Sequence, residues 1–99
     1  NIEVVASPAA DAIKRLASHA PNCVVVDPPR TGLERDVADG ISKLGADRIV
    51  YLSCDPATLA RDLARMMDRG YRLASLEGFD LFPQTPHVEA LAVLVRAGG

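Results

Sequence analysis

Three side chains able to do chemistry, Asp27, Cys54 and Glu89, each fall at the boundary of an apolar run. Cys54 follows Arg48-Ile49-Val50-Tyr51-Leu52, which reads as a buried strand, and precedes Asp55-Pro56, a helix cap and first helical residue. A cysteine at the carboxyl end of a strand and the amino end of a helix sits where open α/β sheets bind ligands. The helix end also favours the thiolate, the nucleophilic form. Asp27 closes the run Cys23-Val24-Val25-Val26 and is followed by Pro28 and Pro29. Two prolines fix the backbone and offer no N–H, so the carboxylate is held rigidly and accepts a hydrogen bond from a base N–H or an amide. Glu89 opens the last apolar run, between Val88 and Ala90. Desolvated there, it would have a raised pKa and suit proton abstraction. Each residue also has a plain reading: a small buried hydrophobe for Cys54, a rigid turn for Asp-Pro-Pro, an exposed strand end for Glu89.

The elements that must position them alternate. Glu3 to Ala6 is a short strand candidate. Ser7-Pro8 starts a helix with an apolar stripe at Ala9, Ile13, Leu16 and Ala17. Cys23 to Val26 reads as a parallel strand buried on both faces, with Cys23 as core filling. Thr31-Gly32 is a turn. Leu33, Val37, Ile41 and Leu44 mark one face of a helix that Gly45 stops. The strand leading to Cys54 follows, then a helix with Leu59, Leu63, Met66 and Met67 inward, ending at Gly70. Tyr71 to Leu76 is a strand, Glu77 to Phe82 an ordered loop, Pro83-Gln84-Thr85-Pro86 a turn, and Val88 to Arg96 the last strand. Two strands with no helix between them pair antiparallel. The order β-α-β-α-β-α-β-β predicts an α/β fold with a mostly parallel sheet and a final antiparallel strand. If the strands ending at Asp27 and Cys54 and the one starting at Glu89 are neighbours, the three residues share one edge.

Composition excludes several classes. A chain of 99 residues, 48% hydrophobic, makes one small core. A formal charge of -2 is not that of a basic nucleic-acid clamp. Cys23 and Cys54 form no CxxC pattern, so neither a metal site nor a disulfide framework is expected, and a reducing, cytoplasmic location fits. No apolar run approaches the roughly 20 residues that span a bilayer, and no signal peptide is visible. The spaced glycines of a dinucleotide-binding loop are absent. His87 and His19 read as a solvated turn residue and a helix-end residue. Arg61, Arg65 and Arg69 read as one solvated helix face. The start at Asn1-Ile2-Glu3, without an initiator methionine, suggests part of a longer protein.

Three ordered blocks then carry a resemblance: Asp27-Pro28-Pro29-Arg30-Thr31-Gly32; Tyr51-Leu52-Ser53-Cys54-Asp55-Pro56-Ala57-Thr58-Leu59-Ala60-Arg61-Asp62; and Phe82-Pro83-Gln84-Thr85-Pro86-His87-Val88-Glu89. Together they resemble the class I, S-adenosylmethionine-dependent RNA 5-methyluridine methyltransferases, over about Val24 to Arg96. The middle block departs mildly, with Asp55 where asparagine is usual; both residues cap helices.

The resemblance implies S-adenosylmethionine as cofactor, an rRNA or tRNA substrate and no membrane. It makes Cys54 the nucleophile and Glu89 the general base. Asp27 and Pro28 would face the target base, with Phe82, Pro83 and Gln84 shaping its pocket. Asp27 would also border the cofactor, whose main glycine-rich loop has no counterpart here. Residues 1–99 would be the distal, C-terminal portion of the catalytic domain, inactive alone. The family's strand order, 3-2-1-4-5-7-6, would leave an open edge on the strand ending at Asp27. Glu3 to Ala6 would dock there, pair with a second copy or hang loose, and self-association is expected. Two other readings use the same residues: an amino-group methyltransferase that binds its amine through Asp-Pro-Pro, and a non-catalytic RNA-binding remnant. A cysteine hydrolase lacks a histidine clearly partnering Cys54.

Overall fold

The computed structural model describes residues 2–5, 21–29, 31–79 and 89–97; for Ile2–Val5, Phe79 and Glu89 only the backbone is considered. The expected helix after Ser7-Pro8 and the expected base-pocket residues Phe82, Pro83 and Gln84 lie outside these residues.

Five strands and two helices are described. β1 is Ile2–Val5, β2 Cys23–Val26, α1 Arg35–Lys43, β3 Arg48–Ser53, α2 Pro56–Asp68, β4 Tyr71–Phe79 and β5 Glu89–Arg96. They form one sheet in the order β1-β2-β3-β5-β4. β1, β2 and β3 run parallel. β5 is antiparallel to β3 and to β4. The chain is therefore α/β with a mixed sheet, as the alternation of apolar periods predicts.

Both described helices pack on one face of the sheet. Val24 and Val26 of β2, Ile49 and Tyr51 of β3, and Ala92 and Leu94 of β5 point to that face. They meet Val37, Ala38 and Ile41 of α1 and Leu59, Leu63 and Met66 of α2 in one buried cluster. The alternate residues Cys23, Val25, Val50, Leu91 and Val93 are half-buried. β2 is thus not fully buried on both sides, and Cys23 is its first residue rather than mid-strand filling. Met67, expected inward, is about half exposed at 48%. The 3.6-residue helical period carries the inner stripe through 59, 62, 63 and 66 and leaves position 67 at its margin.

Three local signals hold. Asp55 caps α2, its Oδ1 accepting from the N–H groups of Ala57 at 2.9 Å and Thr58 at 3.2 Å, with Pro56 as first helical residue. Gly45 ends the segment after α1 at φ +70°. Gly70 follows α2 at φ +101°. These are left-handed values at which a Cβ is disfavoured.

One strand boundary differs from expectation. Glu77, Gly78 and Phe79 are not loop: they continue β4, paired with Leu91, Ala90 and Glu89. Cross-strand hydrogen bonds, invisible to local patterning, prolong the strand over a glycine. A register shift between Leu73 and Ser75 marks a bulge in β4. Of the three expected fates of the β2 edge, docking of the first strand is the one found. β1 lies directly on that edge, with Ile2 opposite Cys23 and Val5 opposite Val26.

Candidate active site

The sheet order makes β2, β3 and β5 consecutive neighbours. Val26 is the register partner of Tyr51, and Ser53 that of Ala90. One residue beyond Val26 lies Asp27. Beyond the Ser53–Ala90 pair come Cys54, just after β3, and Glu89, the first residue of β5. β5 runs opposite to β3, so its first residue lies at the edge where β3 ends. The backbone thus brings all three sequence-selected positions to one edge of the sheet.

Cys54 sits in a turn fixed from both sides. The Ser53 hydroxyl accepts from the Asp55 N–H at 3.1 Å and donates to the Asp55 carbonyl at 2.9 Å, so one side chain brackets the cysteine. The Thr58 hydroxyl donates to the same carbonyl at 3.1 Å. Cys54 is half-buried and a free thiol. Asp27 is exposed, whereas Pro28 behind it is buried. At the described part of this edge Asp27 offers an exposed carboxylate, and the two prolines after it have no N–H to donate.

What holds the Asp27 segment to the Cys54 segment is a cluster that the sequence reading passed over. Asp62, on the inner face of α2, is fully buried. Its Oδ2 accepts from the Leu33 N–H at 2.8 Å and from the Tyr51 hydroxyl at 2.5 Å. Its Oδ1 accepts from Arg61 Nε at 3.2 Å, and Arg65 Nη1 lies 3.7 Å away. Arg61 Nη2 also donates to the carbonyls of Thr31 at 2.9 Å and Leu33 at 3.2 Å. Arg65 donates to the Leu33 carbonyl at 3.3 Å. A buried carboxylate is tolerable only when paired this fully. Arg61 and Arg65 are therefore more than a solvated face: still partly exposed, both donate to the loop after β2. Arg69 is paired too, with both carboxylate oxygens of Asp39 at 3.2 Å. One signal pointed to Asp62. The spacing Leu59, Asp62, Leu63, Met66 places a carboxylate inside an apolar stripe.

The loop itself is closed tightly. Gly32 N–H donates to the Pro29 carbonyl at 2.8 Å. Gly32 has φ +81°, and a Cβ there would lie 2.5 Å from Arg61 Nη2 and 2.8 Å from Asp62 Oδ2. Only glycine satisfies both the dihedral and the contact. Burial first, then the hydrogen bond and charge of Asp62, push the Tyr51 phenol far above its usual range, with Arg61 pulling the other way. A cavity of about 340 Å³ lies over this loop, lined by Thr31 to Arg35, Arg61 and Arg65. A second of about 350 Å³ lies between the helices, lined by Arg35, Asp39, Arg65, Asp68 and Arg69. Both are on the helical side and touch neither Asp27 nor Cys54. Among the described residues no three His, Cys, Asp or Glu side chains converge as metal ligands, and no helix is long and apolar enough to cross a membrane.

Comparison with known proteins identifies the family. The sequence profile of a family described as tRNA (uracil-5-)-methyltransferase matches residues 11–97. The chain belongs to that family. It is 55% identical over 74 residues to an uncharacterized RNA methyltransferase of Streptomyces coelicolor, covering 75% of this chain and 16% of that protein. An uncharacterized RNA methyltransferase of Thermotoga maritima is 43% identical over 96 residues, 97% of this chain and 22% of the relative. Among solved structures, the Pyrococcus abyssi tRNA (uracil-54, C5)-methyltransferase in complex with S-adenosyl-L-homocysteine aligns with a TM-score of 0.65 and 44% identity, over 75% of this chain and 18% of that one. The chain thus spans only about a fifth of the length of the relatives it matches, or less.

Proposed function

We propose that this chain supplies the nucleophile-and-base half of an RNA uridine C5-methyltransferase, acting on rRNA or tRNA with S-adenosylmethionine as methyl donor. The observation that carries the reading is the adjacency of β2, β3 and β5, which puts residues 27, 54 and 89 at one edge of the sheet. Uracil C5 is a poor nucleophile. The Cys54 thiolate adds to C6, and the ring becomes an enolate nucleophilic at C5. S-adenosylmethionine, when bound, supplies an electrophilic methyl on a sulfonium. Once C5 carries that methyl, Glu89 removes the remaining C5 proton, the C5–C6 double bond re-forms, and the thiolate departs from C6. Asp27 accepts a hydrogen bond from the base N–H, with Pro28, Phe82, Pro83 and Gln84 bounding the base. The target uridine is unpaired or flipped out to reach this edge.

The exposed Asp27 carboxylate suits a cationic sulfonium, so Asp27 also borders the cofactor. The methionine part is held by residues beyond these 99, which form the distal portion of the catalytic domain. Alone they transfer little or no methyl, and they self-associate through the outer edge of β1, which closes β2 and is the terminal strand on that side of the sheet. Two free cysteines fit a cytoplasmic setting. A monomer by light scattering over a wide concentration range would remove the self-association.

The test uses RNA with 5-fluorouridine at the target position, where fluorine cannot leave as a proton. Incubated with S-adenosylmethionine and the full-length protein, it yields a covalent adduct on Cys54 with the methyl aboard. An active protein that forms no adduct would sink the cysteine mechanism and favour methylation of an amino group.

A further inference from the structure

We infer that Asp62 and Arg61 form a latch that positions the two walls of the candidate site relative to each other. The inference rests on the reading of Cys54 and Asp27 as those walls. One wall is built on α2, whose capped first turn starts beside Cys54. The other is the segment Asp27-Pro28-Pro29 leading into the Thr31–Leu33 turn. Between them the Leu33 N–H reaches the buried Asp62 carboxylate at 2.8 Å. Arg61, held by that carboxylate, reaches the Thr31 carbonyl at 2.9 Å. From Gly32 the restraint passes through its 2.8 Å bond to the Pro29 carbonyl, and so to Pro28 and Asp27. Two of the four residues between Asp27 and Gly32 are prolines, so little slack remains in the segment.

The choice of partners points to positioning beyond mere stability. Asp62 could satisfy its burial with Tyr51 and the two arginines alone. It instead takes a backbone donor 29 residues away, in the loop that carries Asp27. Arg61 likewise directs its terminal nitrogen to two carbonyls of that loop although it is partly exposed. The planar fork of arginine makes both contacts at once; lysine does not. Neither residue touches the reacting atoms, so both are positioning residues.

The test compares Asp62→Asn and Arg61→Lys with Tyr71→Phe in the full-length protein. Tyr71 is buried and donates to the Ala46 carbonyl at 2.6 Å, remote from the latch, so its loss lowers Tm without touching the loop. Two readouts are taken. Amide hydrogen exchange at Gly32 and Leu33 reports the latch without any catalysis. Single-turnover adduct formation on 5-fluorouridine RNA reports the alignment. Asp62→Asn retains an acceptor but turns donors toward the arginines. It is expected to speed exchange at Leu33 at least about 10-fold, and to slow adduct formation about 10- to 100-fold at saturating RNA, the range that a misplacement of about 1 Å produces. Half-saturation by RNA, set mainly by phosphate contacts, is expected to change less than about 3-fold. Arg61→Lys should fall between wild type and Asp62→Asn. Unchanged Leu33 protection in Asp62→Asn would overturn the latch. A Tyr71→Phe variant with the same Tm loss and the same slowing would overturn its positioning role. A wild-type protein that forms no adduct would instead refute the proposed chemistry, and the exchange readout would still decide whether the latch exists.

Discussion

The Tyr51 hydroxyl and the Asp62 carboxylate meet at 2.5 Å with both side chains out of water, 1% and 0% exposed. Ionising that phenol would place two negative charges side by side in a buried position. The folded state therefore holds Tyr51 protonated at pH values where an unfolded tyrosine, with a pKa of about 10, ionises. Because the folded-state pKa is raised, this contribution is fully present below about pH 10 and is lost as pH rises above it. Urea unfolding between pH 7 and pH 11 should show stability falling at the alkaline end. Tyr51→Phe should be less stable at pH 7, by about 1–3 kcal/mol, with a shallower alkaline fall. Tyr71 supplies the remainder, its phenol also raised by burial first. Equal alkaline slopes in the two proteins would contradict this assignment.

Gly32→Ala should cost about 2–4 kcal/mol, combining a left-handed backbone with overpacking against Arg61 and Asp62. Gly45→Ala provides the comparison. Its φ is +70°, but the nearest atom to a new Cβ is Arg96 Nη1 at 3.7 Å, so only the backbone penalty of about 1–2 kcal/mol applies. Denaturant midpoints of the two variants measure the difference, and equal losses would mean that the loop yields without resistance.

Asp55→Ala removes two accepted N–H bonds at the start of α2 and should cost about 1 kcal/mol. Asp55→Asn keeps the acceptor and should lie within a few tenths of wild type. Thermal unfolding decides. A loss in the asparagine variant matching that of the alanine one would assign the effect to charge rather than capping.

Glu89→Gln should separate the two chemical roles. With ordinary uridine RNA and S-adenosylmethionine, the variant is expected to accumulate a methylated covalent adduct on Cys54, with turnover lowered about 10²- to 10⁴-fold. Cys54→Ser should form no adduct. Normal turnover by Glu89→Gln, followed by mass spectrometry, would place the base elsewhere.

The sequence made legible what is decided locally. The apolar runs fix β2 and β3, Asp55-Pro56 fixes the start of α2, and Gly45 and Gly70 fix helix exits. The placement of Cys54 and Asp27 was legible because both stand at such boundaries. What was hidden depends on distant pairing. Glu77 to Phe79 look like loop until β5 lies beside them. Arg61 and Arg65 look solvated until a loop some 30 residues upstream packs on them. Their helical spacing reports a shared face and says nothing of what covers it. The docking of β1 on β2 is of the same kind, since four residues of sequence do not choose their neighbour.

The bulge between Leu73 and Ser75 has a consequence for crowded solutions. β4 is an outermost strand of the sheet, and Leu76 on it is 53% exposed. A long, flat, partly apolar border would template the growth of further strands, the first step toward fibrils. A local break in register adds twist, and the charged Arg72 and Glu77 flank it on either side. The chain thus carries its own insulation on that flank, which discourages stacking.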